Sequence, residues 1–252
     1  MISVIADPWF YAAALPAALL VGISKSGFAS GIGALATPLI ALSVTVPQAA
    51  ALVLPLLALA DLMGLIALRR HADWAVLRHL LPAGLIGIVI GWLSFGLLPS
   101  HVVAGITGAV TLVFLAWNLR FPPRADAAPP GALATCGLAM TSGYTSFVAH
   151  SGGPPIVMAL LPRHMAPLAY AGTSAVFFAA INASKWLPYG LLGLFDLRNL
   201  ATSALLMPVA AVGVLTGIWA TQHVSPRGFY LLVQGGMLVT GLKLLADGIW
   251  HG

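Results

Sequence analysis

The chain has 252 residues, of which 60% are hydrophobic and only 7% charged; its formal net charge is +5 and its mean hydropathy +1.00. A soluble domain needs roughly a quarter of its residues charged, so a water-soluble globular domain is excluded and the composition reads as an all-α polytopic membrane protein. The basic residues sit in short gaps between apolar runs, which marks topology and argues against nucleic acid as a partner; Cys136, the single cysteine, permits no intrachain disulfide and no cysteine metal site.

The N-terminal stretch MISVIADPWFYAAALPAALLVG lacks a basic leader and reads as a retained membrane segment. Residues 9–44 are apolar but broken by the stretch GISKSGFASGIGALATP, which holds Lys25, four glycines and three serines. Three uninterrupted apolar runs follow at 48–68, 77–97 and 101–119, each near the roughly 20 residues that cross a bilayer core. A Pro-rich segment at 120–130 reads as a cytoplasmic linker. The pattern then returns: a broken region at 131–161 around HSGG, and apolar runs at 168–187, 198–219 and 228–249. Each broken region reads as two shortened helices joined by a polar turn, either crossing the membrane or re-entering it.

The recurrence has register. Pro82, Gly87 and Gly91 stand 126 residues before Pro208, Gly213 and Gly217, and Gly31 stands 121 before Gly152. The difference places a small insertion near 188–198. The predicted plan is one membrane domain over 1–252, with a first repeat at 8–119 and a second at 131–250, giving 8–10 membrane segments. Arg69, Arg70, Arg78, Arg120, Arg124, Arg163 and Arg227 fall on one side and Arg198 on the other, which puts the first group in the cytoplasm. A broken pair contributes zero or two crossings, so each half crosses an odd number of times. The repeats are therefore expected to be inverted, with both chain ends periplasmic.

Polar residues in so apolar a chain are candidates for a site. A Gly/Ser turn at a helix start offers backbone N–H groups to an anion, which singles out Ser26, Gly27, Ser30 and Gly31, and Ser146, Ser151, Gly152 and Gly153. Small residues also serve plain helix packing. Lys25 and Lys185 need a cavity or a partner, whereas Lys243 reads as snorkelling to the headgroups. Asp61, whose repeat counterpart is Asn182, either accepts a coupling proton or pairs with Lys25 or Lys185. His150 is either an anion ligand when protonated or a neutral donor at the turn. The remaining histidines have no metal-site spacing, and no cofactor, metal or catalytic residue is expected.

KSGFASGIGALATP and SGGPPIVMALLP resemble the two signature regions of the TauE/SafE-like sulfite exporter family, and INASKWLPYG resembles its Asn–Lys segment. The resemblance runs from about Pro8 to Trp250. It implies a permease of the bacterial inner membrane that moves sulfite or another small sulfur-containing anion, such as an organosulfonate. On that reading the turns with Lys25, Asn182 and Lys185 bind the anion, Asp61 couples a proton, the halves alternate access, and a homodimer is compatible with the plan. Two rivals stand beside it: a passive anion channel, and an intramembrane serine hydrolase using Ser30 with His150 as base.

Overall fold

The computed structural model describes residues 4–25, 32–121, 128–223 and 226–250, with side chains described except at 96, 100, 118, 167, 218–223, 226–233 and 236. These residues are helical, with no strand among them. Helix α1 spans Pro8–Lys25 and α2 Ala36–Ile40, after a 3₁₀ turn at Ile32–Leu35; α3, α4 and α5 span Val46–Leu68, Trp74–Leu97 and Ser100–Arg120. The second half gives α6 Ala132–Ala149, α7 Gly153–Leu160, α8 Pro167–Ser184, α9 Trp186–Leu191, α10 Leu197–His223 and α11 Pro226–Trp250. By length and composition Val46–His71, Trp74–Phe95 and Leu197–Gly217 can each cross a membrane, and His101–Trp117 is a shorter apolar helix.

The starts of these helices follow from local chemistry. Asp7 accepts from the Trp9 N–H at 2.9 Å, Thr45 from Gln48 at 3.4 Å, Asp73 from Ala75 at 2.9 Å, and Asp196 from Asn199 at 2.6 Å. Each satisfies a backbone donor that the first turn cannot pair. Pro154 and Pro155 open α7, where no N–H is required.

The six long apolar runs all form helices, with one correction. The run expected at 168–187 stops at Ser184, and the chain restarts as the six-residue α9 before a turn through Gly193, whose φ is +68°. A second correction concerns the broken regions, whose arms are unequal. α1 and α6 each run 18 residues, because Ala- and Leu-rich sequence carries the helix through, whereas α2 has five residues and α7 eight. At about 1.5 Å per residue the short arms rise only about 8 and 12 Å, against a core of roughly 30 Å.

α3 and α8 run antiparallel at the centre: Asp61 meets Asn182, Gly64 faces Ala175, and Leu68 lies against Gly172. The closest outer seams are α1 with α10, α4 with α6, and α5 with α11. Glycine makes all three possible, Gly105 and Gly108 of α5 lying against Gly248 and Leu245 of α11. A Cβ on Gly22 of α1 would sit 2.6 Å from the Val214 nitrogen of α10, and one on Gly87 of α4 would sit 2.8 Å from the Tyr144 nitrogen of α6. Only a residue without a side chain lets the backbones come this close.

Candidate functional site

α3, α7 and α8 wall a cavity of about 540 Å³. Its deep end is formed by Lys25 at the end of α1, Asp61 on α3, Asn182 on α8, and Ser146 and His150 at the end of α6. From there the lining turns apolar, through Leu57, Ile156, Val157, Ala175 and Phe178 to Leu68, Leu161 and Met165. The last three adjoin in sequence the segments that carry Arg69, Arg70, His71, Arg163 and His164, none of which is among the cavity's described lining residues; Arg163 donates to the Ala159 carbonyl and to Thr135 Oγ1.

A continuous polar chain underlies the floor. Lys25 Nζ donates to Asp61 Oδ1 at 2.5 Å and lies 4.9 Å from the centre of the Phe178 ring. Asn182 Nδ2 donates to Asp61 Oδ2 at 2.5 Å, and its Oδ1 accepts from Lys185 Nζ at 2.8 Å. Lys185 Nζ also donates to the Ser146 carbonyl and Oγ, each at 2.7 Å, and meets His150 Nδ1 at 3.0 Å. His150 Nε2 meets the Ala50 carbonyl at 3.0 Å. Since an ammonium only donates and a carbonyl only accepts, Nδ1 is the acceptor and Nε2 carries the proton: His150 fits as a neutral ring. An ion pair taken out of water is tolerable only when its remaining bonds are filled. Here both oxygens of Asp61 are filled, and every proton of Lys185 has an acceptor.

The sequence-predicted residues divide into three groups. Lys25, Asp61, Ser146, His150, Gly153 and Asn182 line one cavity, brought together from five helices. Lys185 is fully buried and stands behind that wall, reaching the cavity through Ser146, His150 and Asn182 rather than lining it. Ser151 and Gly152 likewise serve the turn itself: Ser151 Oγ donates to the Ala149 carbonyl at 3.2 Å, Thr145 Oγ1 donates to the Ser151 carbonyl at 3.2 Å, and Ser142 Oγ donates to the Gly152 carbonyl at 2.6 Å. Ser26, Gly27, Ser30 and Gly31 lie outside the described residues. With both His150 nitrogens partnered within the chain, neither is left to accept a proton from a serine. Lys243 keeps its side chain 45% exposed and pairs with Asp247 at 2.6 Å.

Sequence reading missed Ser174 and the clamp of Ser142 and Thr145. Ser174 lines the cavity, and its buried hydroxyl has no hydrogen-bond partner among the described residues. The signal was its spacing: Ser174, Phe178 and Asn182 are successive i, i+4 positions of α8 and share one face. The clamp was visible only as hydroxyls in TSGYTS, which in a membrane helix equally serve packing.

The family model described as "Sulfite exporter TauE/SafE" matches residues 14–244, nearly the whole chain and every element of the cavity. Neither curated proteins nor solved structures give a match.

Proposed function

The chain belongs to the TauE/SafE sulfite exporter family, and from that premise we propose that it is a secondary permease that binds a small anion at the floor of the α3–α7–α8 cavity and passes it across the bacterial inner membrane by alternating access. The observation that carries this reading is the cavity itself: a mostly apolar chamber with the Lys25–Asp61 pair in its wall at one end and Leu68, next to Arg69 and Arg70, at the other. Arg69 and Arg70, next to Leu68, would raise the local concentration of anions at that end. The positive-inside rule supports a cytoplasmic position for the Arg69–Arg70 end, and on this reading an exporter would load from that end.

Alternating access is favoured over a passive pore by what lies beyond the floor. Lys185, Phe147 and Tyr189 are fully buried there, and Tyr189 donates its hydroxyl to the Phe147 carbonyl at 2.7 Å.

The inverted repeat supplies the moving parts on this reading, and the glycine seams support it. Gly22 and Gly143 stand at the 121-residue offset of the two turns, and Gly87 and Gly213 at the 126-residue offset of the later helices. The seam of α1 on α10 is thus the counterpart of α6 on α4, with the halves exchanging partners. Asp61 and its counterpart Asn182 bond to each other, as residues beside a two-fold axis would. Asp61 is the candidate coupling group: protonation would release Lys25 to the anion.

Proteoliposomes loaded with sulfite or a short alkanesulfonate test the proposal. Efflux should saturate with concentration, show counterflow, and respond to an imposed pH gradient. Non-saturating flux without counterflow would identify a channel instead.

A further inference from the structure

We propose that Gln48, Asn199 and Ser203 form the outer gate of this carrier, that Thr173 and the Asp73 backbone form its inner gate, and that the two part in turn about the Asp61–Asn182 bond. The inference rests on the alternating-access reading above and assigns the residues that close each end. Position, register and chemistry each support it.

α3 and α8 run antiparallel through the centre and meet at Asp61 and Asn182. Leu52 stands nine residues before Asp61, and Thr173 nine before Asn182. The Leu52 carbonyl accepts from Ser203 Oγ of α10 at 2.9 Å, and one turn further out Gln48 Nε2 donates to Asn199 Oδ1 at 3.0 Å. Thr173 Oγ1 accepts from the Asp73 N–H, just ahead of α4, at 2.9 Å, next to the close approach of Gly172 to the Leu68 carbonyl. Nine helical residues rise about 14 Å, so the two contacts flank the Asp61–Asn182 bond at equal distances on opposite sides. Asn199 adjoins Arg198, and Asp73 follows the Arg69–Arg70 segment, so the positive-inside rule assigns the first contact to the outside and the second to the cytoplasm.

The register is that of the repeat. Leu52 and Thr173 stand 121 residues apart, the offset of the two turns, and Asp73 and Asn199 stand 126 apart, the offset of the later helices. The outer contact joins α3 to α10, and its counterpart joins α8 to the start of α4. What closes one end thus has its equivalent at the other, as alternating access needs.

The outer contact is also built to open. Asn199 and Ser203 are buried, and a buried polar group left without a partner is costly. Each keeps a bond on its own side: Ser203 Oγ also reaches the Asn199 carbonyl at 3.0 Å, and Asn199 Nδ2 donates to the Leu194 carbonyl at 3.3 Å. Withdrawal of α3 therefore strands neither. The gate is tied to the site through α1. α10 is sealed to α1 at Gly213 and Gly22, and α1 ends at Lys25, which bonds Asp61 of α3. α10 cannot leave α3 without drawing Lys25 from Asp61, so the ion pair braces the outer gate, and an anion that takes Lys25 releases it.

Reversible cross-linking of the full-length protein in proteoliposomes tests this, in a Cys136→Ser background with sulfite and butanesulfonate as the exported probes. Bridging Gln48→Cys to Asn199→Cys with a short bis-methanethiosulfonate should abolish efflux, and reduction should restore it. Ala72→Cys with Thr173→Cys, which keeps the Asp73 cap, should behave alike. Where a reduced pair is itself inactive, Gln48→Ala decides. It touches no cavity wall, and labelling of Val157→Cys from the Arg198 side should rise about five-fold, the population shift that one lost hydrogen bond gives. A pair that the reagent does not bridge, or full efflux from a fully bridged pair, overturns that gate and leaves the permease standing. Unchanged labelling in Gln48→Ala overturns the outer gate by a separate route. Absence of saturable efflux of both probes from the Cys136→Ser parent overturns the permease reading and this inference with it.

Discussion

Lys25 and Asp61 each need the other. Breaking a buried pair by removing one partner costs about 3–5 kcal/mol, and the lower end applies here because Lys25 keeps partial contact with the cavity. Lys25→Ala is therefore expected to lower the thermal midpoint as well as to remove anion binding. The double variant Lys25→Met, Asp61→Asn should recover most of the midpoint and still bind no anion, a combination that a purely structural role for Lys25 would not produce. Ser174→Ala gives the opposite signature. An unpartnered buried hydroxyl adds nothing to stability, so its loss should leave the midpoint unchanged or slightly raised while anion affinity falls. The identity of these residues was only partly legible in the chain. Asp61 and Lys25 stood out because charge is rare in apolar sequence, and their pairing was among the expected outcomes. That Lys185 reaches Asp61 only through Asn182 was not legible, because three residues separate Lys185 from Asn182 along the chain and 121 separate Asn182 from Asp61.

Among the helices, the long ones were legible because an apolar run near 20 residues has few alternatives in a membrane. The short arms were not. Gly, Ser and Pro mark where a helix breaks but not how far it continues on either side, so α1 and α6 run 18 residues each while α2 and α7 have five and eight. The seams offer a sharp test at this scale. Gly22→Leu and Gly87→Leu place a side chain against the backbone of the facing helix, and each should cost several kcal/mol, in the range of severe overpacking, seen as loss of the monodisperse detergent-solubilised protein. Gly137→Leu, with nothing near its Cβ position, should be tolerated. Equal behaviour of the three variants would mean that the seams are not close contacts.

For the molecule as a whole, the cavity mouth and the basic loops should share one side of the membrane. In a Cys136→Ser background, maleimide should reach Arg70→Cys and His164→Cys from one side and Arg198→Cys from the other. Val157→Cys should react from the Arg70 side and be protected by bound anion. Labelling of all four from the same side would remove the inverted arrangement. The divergence of the two halves at the centre carries one more consequence. On the repeat reading the counterpart of Lys25 is Ser146 and that of Asp61 is Asn182, so an ion pair on one half is answered by a neutral pair on the other. Two identical inverted halves would make the inward and outward conformations equal in energy. On the alternating-access proposal, exchanging their roles would exchange a charged contact for an uncharged one, and the empty carrier would have an uneven resting distribution between its two faces. The sign of that imbalance would set which side of the membrane an unloaded molecule waits on.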